Sequence, residues 1–262
     1  MLLLLPLLMV LLPTATATAA AASAAPLVLA FSELAPWKVK DGNHFAGAYT
    51  EIVRELARRL GRELQIAECP HKRCLRLLEL GEADVSIGLQ QSPERDAYLL
   101  YMQTPYRRVS ADRVFYVRAG EAGRIARYED LYGLRIATKA GSDYFDRFDE
   151  DGRLDKDAGP NNAVNLRKLL LQRVDAVVMP EDQAAALASQ LGLASQVEPA
   201  QFRVADATPR SLAISRRSGL VPQLPQLERA MQQMREDGTL AAIYERHYYK
   251  AFGVSRQQIR LD

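Results

Sequence analysis

The sequence predicts an α/β fold in which mostly parallel sheets are flanked by helices. Three observations predict it. Apolar, β-prone runs alternate with helix-period stretches over residues 27–87 in the order β-α-β-α-β, which implies a parallel sheet with helices on its faces. The alternation restarts after Tyr106 and runs to Val178. A weak internal echo pairs L-E-L-G-E-A-D-V-S-I (Leu78 to Ile87) with L-L-L-Q-R-V-D-A-V-V (Leu169 to Val178). Each is a helix end, a short turn, an aspartate and a strand, as two lobes built alike would have, although any helix-to-strand connection has some of this pattern.

The elements follow in order. Leu27 to Phe31 reads as the first strand and Ser32 to Trp37 as the loop after it. Gly47-Ala48-Tyr49-Thr50 leads into a helix on which Ile52, Val53, Leu56 and Leu60 share a face; Thr50 is placed to cap its start and Gly61 to end it. Leu64 to Ala67 reads as the second strand. Leu75 and Leu78 lie on a second helix stopped by Gly81, and Ala83 to Ile87 is the third strand. In the second half, Val114 to Val117 is β-prone and Leu134 to Ala137 is a strand. It runs into Gly141-Ser142-Asp143-Tyr144, which reads as a loop opening a helix. Asn165 to Leu171 is a leucine-rich helix before the strand Val174 to Val178. From Leu220 to Tyr249 the chain reads as helical. Leu224, Leu227, Met231 and Met234 recur at helical spacing, the methionines as core packing, and Thr239 is placed to cap a last helix carrying Leu240, Ile243 and Tyr244.

Composition bounds the function. The 262 residues are 48% hydrophobic and 25% charged, with a formal net charge of +2, which gives no push toward nucleic acid or a membrane surface. No charged residue precedes Glu33. Leu2 to Leu12 is nearly continuous leucine, too short to span a bilayer, and small residues end at Ala22-Ser23-Ala24. This reads as a signal peptide cleaved near Ala24, without the usual positive amino end, and places the mature chain in the periplasm. The two cysteines, Cys69 and Cys74, sit in C-P-H-K-R-C. In an oxidising compartment they are expected to form a local disulfide; free thiols, or a metal or redox site with His71, are the alternatives. His44 and His247 are far away in sequence, so no metal site is expected.

The most informative stretch is Gly88 to Tyr106, G-L-Q-Q-S-P-E-R-D-A-Y-L-L-Y-M-Q-T-P-Y. It puts Gln90, Ser92 and Arg95 just past the carboxyl end of a strand, where open α/β sheets bind ligands. The arginine is a fork of donors suited to a carboxylate. The segment resembles the "S-x-(T/S)-x-x-R … F-(S/T)-x-P-Y" signature of extracytoplasmic solute-binding proteins of family 3, which serve polar-amino-acid ABC transporters. Leu34 to Trp37, Gly47 to Ile52, Leu131 to Ala137 followed by Ala140-Gly141-Ser142, and Met234 to Tyr244 resemble further motifs of that family, in its order. The resemblance implies a type II periplasmic-binding-protein fold: lobe 1 from 25–112 and 209–262, lobe 2 from 113–208, and a hinged cleft between them that holds the ligand.

By that resemblance Arg95 holds a ligand carboxylate; its ordinary alternative is a salt bridge to a nearby acid. Gln90 stands where the family usually has a hydroxyl. Trp37 is expected to stack on a ligand or to serve as a hinge or core aromatic. Glu33 is a candidate for a cationic group or a solvated loop acid. Ser142 and Asp143 would contribute from lobe 2 at a helix start, or cap that helix. Amino-acid binders of the family carry an aspartate where this chain has Pro180, with Glu181 and Asp182 next, so Glu181 is the candidate substitute. The implied protein is a monomeric periplasmic binding protein, with no enzyme activity and no cofactor. It takes a small carboxylate-bearing, amino-acid-like solute and delivers it to an ABC permease. The alternatives are a dehydratase-like enzyme on the same scaffold, with Glu181 or Glu33 as the acid, and a periplasmic sensing subunit.

Overall fold

The computed structural model describes residues 25–206, 208–254, 256 and 261; the leucine-rich leader and its cleavage site lie outside the described residues. The chain opens with β1 (Leu27–Phe31), a hairpin of β2 (Val39–Asp41) and β3 (His44–Ala46), and α1 (Ala48–Arg59). Next come β4 (Leu64–Glu68), α2 (His71–Leu80), β5 (Val85–Ser86), α3 (Pro93–Asp96) and β6 (Leu99–Tyr101). It then crosses to β7 (Arg113–Arg118), β8 (Arg135–Lys139), α4 (Asp146–Glu150) and β9 (Asp155–Gly159). These lead to α5 (Asn162–Leu170), β10 (Ala176–Pro180), α6 (Glu181–Gln190) and β11 (Val197–Val204). After a second crossing come β12 (Ala213–Ser215), α7 (Leu224–Glu236), α8 (Thr239–Tyr244), a π-helical turn at Glu245–Tyr249 and α9 (Lys250–Phe252).

Two five-stranded sheets result, ordered β4-β1-β5-β12-β6 and β11-β7-β10-β8-β9. In the first, β4 and β5 run parallel to β1, Leu27 opposite Leu64 and Leu29 opposite Val85, while β12 is antiparallel to β5 and β6. In the second, β8 is parallel to both β10 and β9, and β7 is antiparallel to β10 and β11. Each sheet thus has a parallel core and antiparallel strands where the chain crosses over.

Burial explains the apolar runs. Along β10, Val177 and Met179 pack into one cluster while Ala176 and Val178 pack into another on the opposite face. A strand buried on both faces reads as continuous apolar sequence rather than as alternation. In the first lobe Leu29, Phe31, Ile52, Leu56, Val85 and Ile214 share one core with Leu227, Met231 and Met234 of α7. The C-terminal helices therefore close the lobe that begins the chain.

Local starts differ from the sequence reading for steric reasons. α1 begins after Gly47, whose φ is 101° and whose Cβ, if present, would lie 2.3 Å from the Trp37 carbonyl oxygen. Only glycine fits there. Thr50 donates back to the Ala46 carbonyl (2.9 Å) instead of capping. α8 starts after left-handed Gly238, and the Thr239 hydroxyl accepts from Arg59 (3.0 Å). Gly141 to Tyr144 do not open a helix: α4 starts two residues later, at Asp146, after Phe145. The sequence reading missed β2, β3, β6, β9, β11, β12, α3, α6 and α9. The β9 and β11 strands form the edges of the second sheet, where charges and a proline are tolerated and hide the apolar period.

Cys69 and Cys74 are joined in a disulfide that ties the end of β4 to α2. Among the described residues no helix is long and apolar enough to cross a membrane, and no histidine, cysteine and acid cluster could hold a metal ion.

Candidate functional site

Two crossings join the lobes, and they pair with each other. Arg107 and Arg210 exchange main-chain hydrogen bonds of 3.3 and 2.8 Å, and the Ser110 hydroxyl donates to the Thr208 carbonyl (2.7 Å). Asp206 binds both Arg113 (2.8 Å) and Arg210 (2.5 Å), fastening one crossing to the other. Beside this hinge stands an aromatic pile. Trp37 is stacked between Tyr49 and Tyr248, at centroid distances of 5.0 and 4.5 Å. The Tyr248 hydroxyl then donates to the Asp182 carbonyl of the opposite lobe (2.9 Å).

A cavity of about 110 Å³ lies between the lobes, floored by Gly88, Leu89 and Gln90 from the loop after β5 and roofed by Lys139 at the end of β8 and Gly141 to Tyr144 from the loop after it. Gly88 is required for that floor: its φ is 86°, and a Cβ would meet Leu34 at 2.8 Å and the Tyr49 ring at 3.2 Å. Arg95 lines the cavity and is only 7% exposed. One guanidinium nitrogen donates to the Gln90 carbonyl (2.8 Å), and another pairs with the Asp143 carboxylate across the cleft (2.8 Å). A carboxylate from lobe 2 therefore occupies the fork of Arg95. Gln90 also lines the cavity, its side-chain oxygen accepting from Arg113 (3.2 Å).

The other candidates divide. Ser142 and Asp143 line the cavity from a turn rather than from a helix start. Trp37 borders it, but Tyr49 and Tyr248 cover its two faces, so of the two roles expected for it the arrangement fits the core aromatic. Ser92, Glu33 and Glu181 do not line it. Ser92 precedes α3; the exposed Glu33 carboxylate accepts from the Lys40 main chain (3.3 Å). The Glu181 carboxylate pairs with Arg203 (3.3 Å). The carboxylate on α6 that reaches the cavity is Asp182, one residue on. A turn of roughly 100° per helical residue separates the two.

Asp182 is itself engaged. Its carboxylate forms a short ion pair with Arg107, both side chains being at most 3% exposed. Burial lowers the Arg107 pKa, but Asp182 more than offsets it, so the guanidinium stays charged. Its second terminal nitrogen has no partner among the described residues, nor has the side-chain oxygen of Asn162, which also lines the cavity.

Residues 27–250 match the family described as bacterial extracellular solute-binding proteins, family 3. The chain belongs to this family. No curated protein matches it significantly. Among solved structures it is similar to a mutant of ArgBP from T. maritima, with a TM-score of 0.73, 21% identity, and coverage of 86% of this chain and 95% of that one. It is similar also to the GluR0 ligand-binding core from Nostoc punctiforme in complex with L-glutamate (TM-score 0.72, 19% identity, 85% and 99% covered). A third is the ancestral amino acid-binding protein AncCDT-1, a precursor of cyclohexadienyl dehydratase (TM-score 0.70, 23% identity, 86% and 95% covered).

Within this solute-binding fold, the sequence reading missed several cavity residues: His71, Arg107, Arg113, Lys139, Asn162, Asp182 and Arg210. Each stands far along the chain from the Gly88 to Tyr106 motif or just beyond its end. Arg107 had a signal, since it directly follows the motif's terminal Pro105-Tyr106. His71 had another, as the residue between the two cysteines.

Proposed function

We propose that this chain is an exported binding protein that closes its two lobes on a small acidic solute and presents the closed form to an ABC permease. One observation carries the reading. Arg95 is buried at the lobe boundary with a carboxylate, that of Asp143, already in its fork. A solute carboxylate would replace Asp143 there, bonded through two parallel N–H donors. Contacts to both lobes would favour the closed state, and only such differential contacts can shift the equilibrium.

The charge pattern favours an acid over a cationic amino acid. Both acids lining the cavity, Asp143 and Asp182, are paired with arginines, and Pro180 stands where the family resemblance places an acid for the ligand's ammonium. Binding is favoured over dehydration because Glu33 and Glu181, the acids offered for that chemistry, do not line the cavity. Thermal denaturation with a panel of amino and organic acids tests the reading. At least one acid should raise the melting temperature, and Arg95→Ala should abolish that rise. A shift that persists in the variant would remove Arg95 from the site.

A further inference from the structure

Beside Arg95 lie three basic groups that form no ion pair among the described residues. Lys139 lines the cavity and its ammonium reaches only the Glu33 main-chain carbonyl (3.3 Å). His71 lines the cavity as the first residue of the ten-residue α2, whose positive end therefore lies at the same place. It packs against the loop of the opposite lobe, its ring 3.2 Å from where a Gly141 Cβ would stand. Lys38 is 2% exposed and stands behind the lining rather than in it, and its ammonium makes no hydrogen bond among the described residues. That ammonium lies 5.8 Å from the centre of the Phe31 ring, at the carboxyl end of β1.

A lysine held this deep without a partner is costly. Burial, then Lys139, pushes the Lys38 pKa down to about 7. Burial, then Lys139, Arg95 and Lys38, pushes His71 down to about 4. Lys139 is also lowered by burial, with the Glu33 carboxylate partly offsetting it. The charge that faces Lys38 is thus Lys139 on β8; His71 on α2 is neutral at neutral pH and adds a polar ring, with Arg95 on α3 beside it. The acids in the neighbourhood are Glu33, beside Lys139, and Asp143, which is committed to Arg95. An anion here would offset both ammonium charges and take a hydrogen bond from the His71 ring.

We propose that Lys139 and His71, with the Lys38 charge behind them, form a second anion subsite in the cleft, so that the captured solute carries two acidic groups, one on Arg95 and one here. The proposal rests on the carboxylate-binding reading and narrows it to diacids. It also sets a pH dependence. Below pH 7 Lys38 is already protonated, and its contribution to affinity is constant. Above pH 7 binding must take up a proton, so affinity falls, by up to about tenfold per pH unit.

The test is calorimetric titration of acid and amide pairs into the mature protein at pH 6.5 and 8.5. The pairs are succinate and succinamate, glutarate and glutaramate, L-aspartate and L-asparagine, and L-glutamate and L-glutamine. One diacid should bind roughly a hundredfold tighter than its amide at pH 6.5, because the amide leaves the ammonium groups unpaired. Its advantage should shrink about tenfold or more at pH 8.5. Lys38→Met should erase both the preference and the pH slope while still binding the amide. If every amide binds within threefold of its diacid in the unaltered protein, the subsite falls, whatever the variant does. If amides bind well and Arg95→Ala abolishes their binding, the capture reading stands while the subsite falls. If no member of the panel binds, both fall.

Discussion

At the residue scale the arginines of the cleft are already paired. Arg95 holds Asp143, Arg107 holds Asp182, and Arg113 and Arg210 share Asp206. These pairs differ in what they are worth. Asp143 is half-exposed, so solvent screens its pair to about 1 kcal/mol or less. The Arg107–Asp182 pair is buried, and removing one partner would strand the other's charge. Asp182→Ala should therefore cost about 3–5 kcal/mol in urea denaturation, and adding Arg107→Met should recover part of it. A loss below about 1 kcal/mol would mean that water or another group takes over the arginine. The sequence placed Arg95, Gln90, Ser142 and Asp143, which do line the cavity, through a motif and its position past a strand. It offered Glu181 or a solvent-facing acid there, and Asp182 is the α6 acid that lines the cavity, because the direction of a side chain depends on where the helix starts, and Pro180 is the residue preceding α6.

At the element scale α2 links the disulfide to the site. The bond joins Cys69, just after β4, to Cys74 in the second turn of α2, and so holds the helix start at His71 against the sheet. The closed loop is short, so replacing both cysteines by serine should lower stability by only about 2 kcal/mol in urea denaturation. The larger effect should fall on ligand affinity, since His71 loses its anchor. Equal affinity in the double variant would separate the disulfide from the site. The long amphipathic elements were legible: α1, α2, α5, α7 and the central strands carry their period in the sequence. The hairpin and edge strands were not. They are three to eight residues long, charged, and held by partners distant in the chain.

At the scale of the whole molecule the two lobes meet through side chains of the cleft. Arg95–Asp143, Gln90–Arg113 and the Lys139–Glu33 contact all bridge the cleft. By the proposed function Asp143 stands where a solute carboxylate belongs and competes with it. Asp143→Asn should tighten acid binding by up to about fivefold, in line with a half-exposed pair. It should also enlarge the unliganded protein in small-angle scattering, since the open form is relieved of a latch. Weaker binding in that variant would instead make Asp143 a ligand contact.

The sequence by itself determined the class of fold, the two lobes' repeated grammar, and the arginine past the third strand. These are carried by short-range pattern: apolar period, helix stops and the chemistry of one loop. Only the tertiary structure decided who meets that arginine and which charges are left over. Arg95 and Asp143, Arg107 and Asp182, and Lys38 beside Lys139 come together because two crossings bring separate sheets face to face. Electrostatics in a closed, poorly solvated cleft depend on distance in space, which the order of residues along the chain does not record.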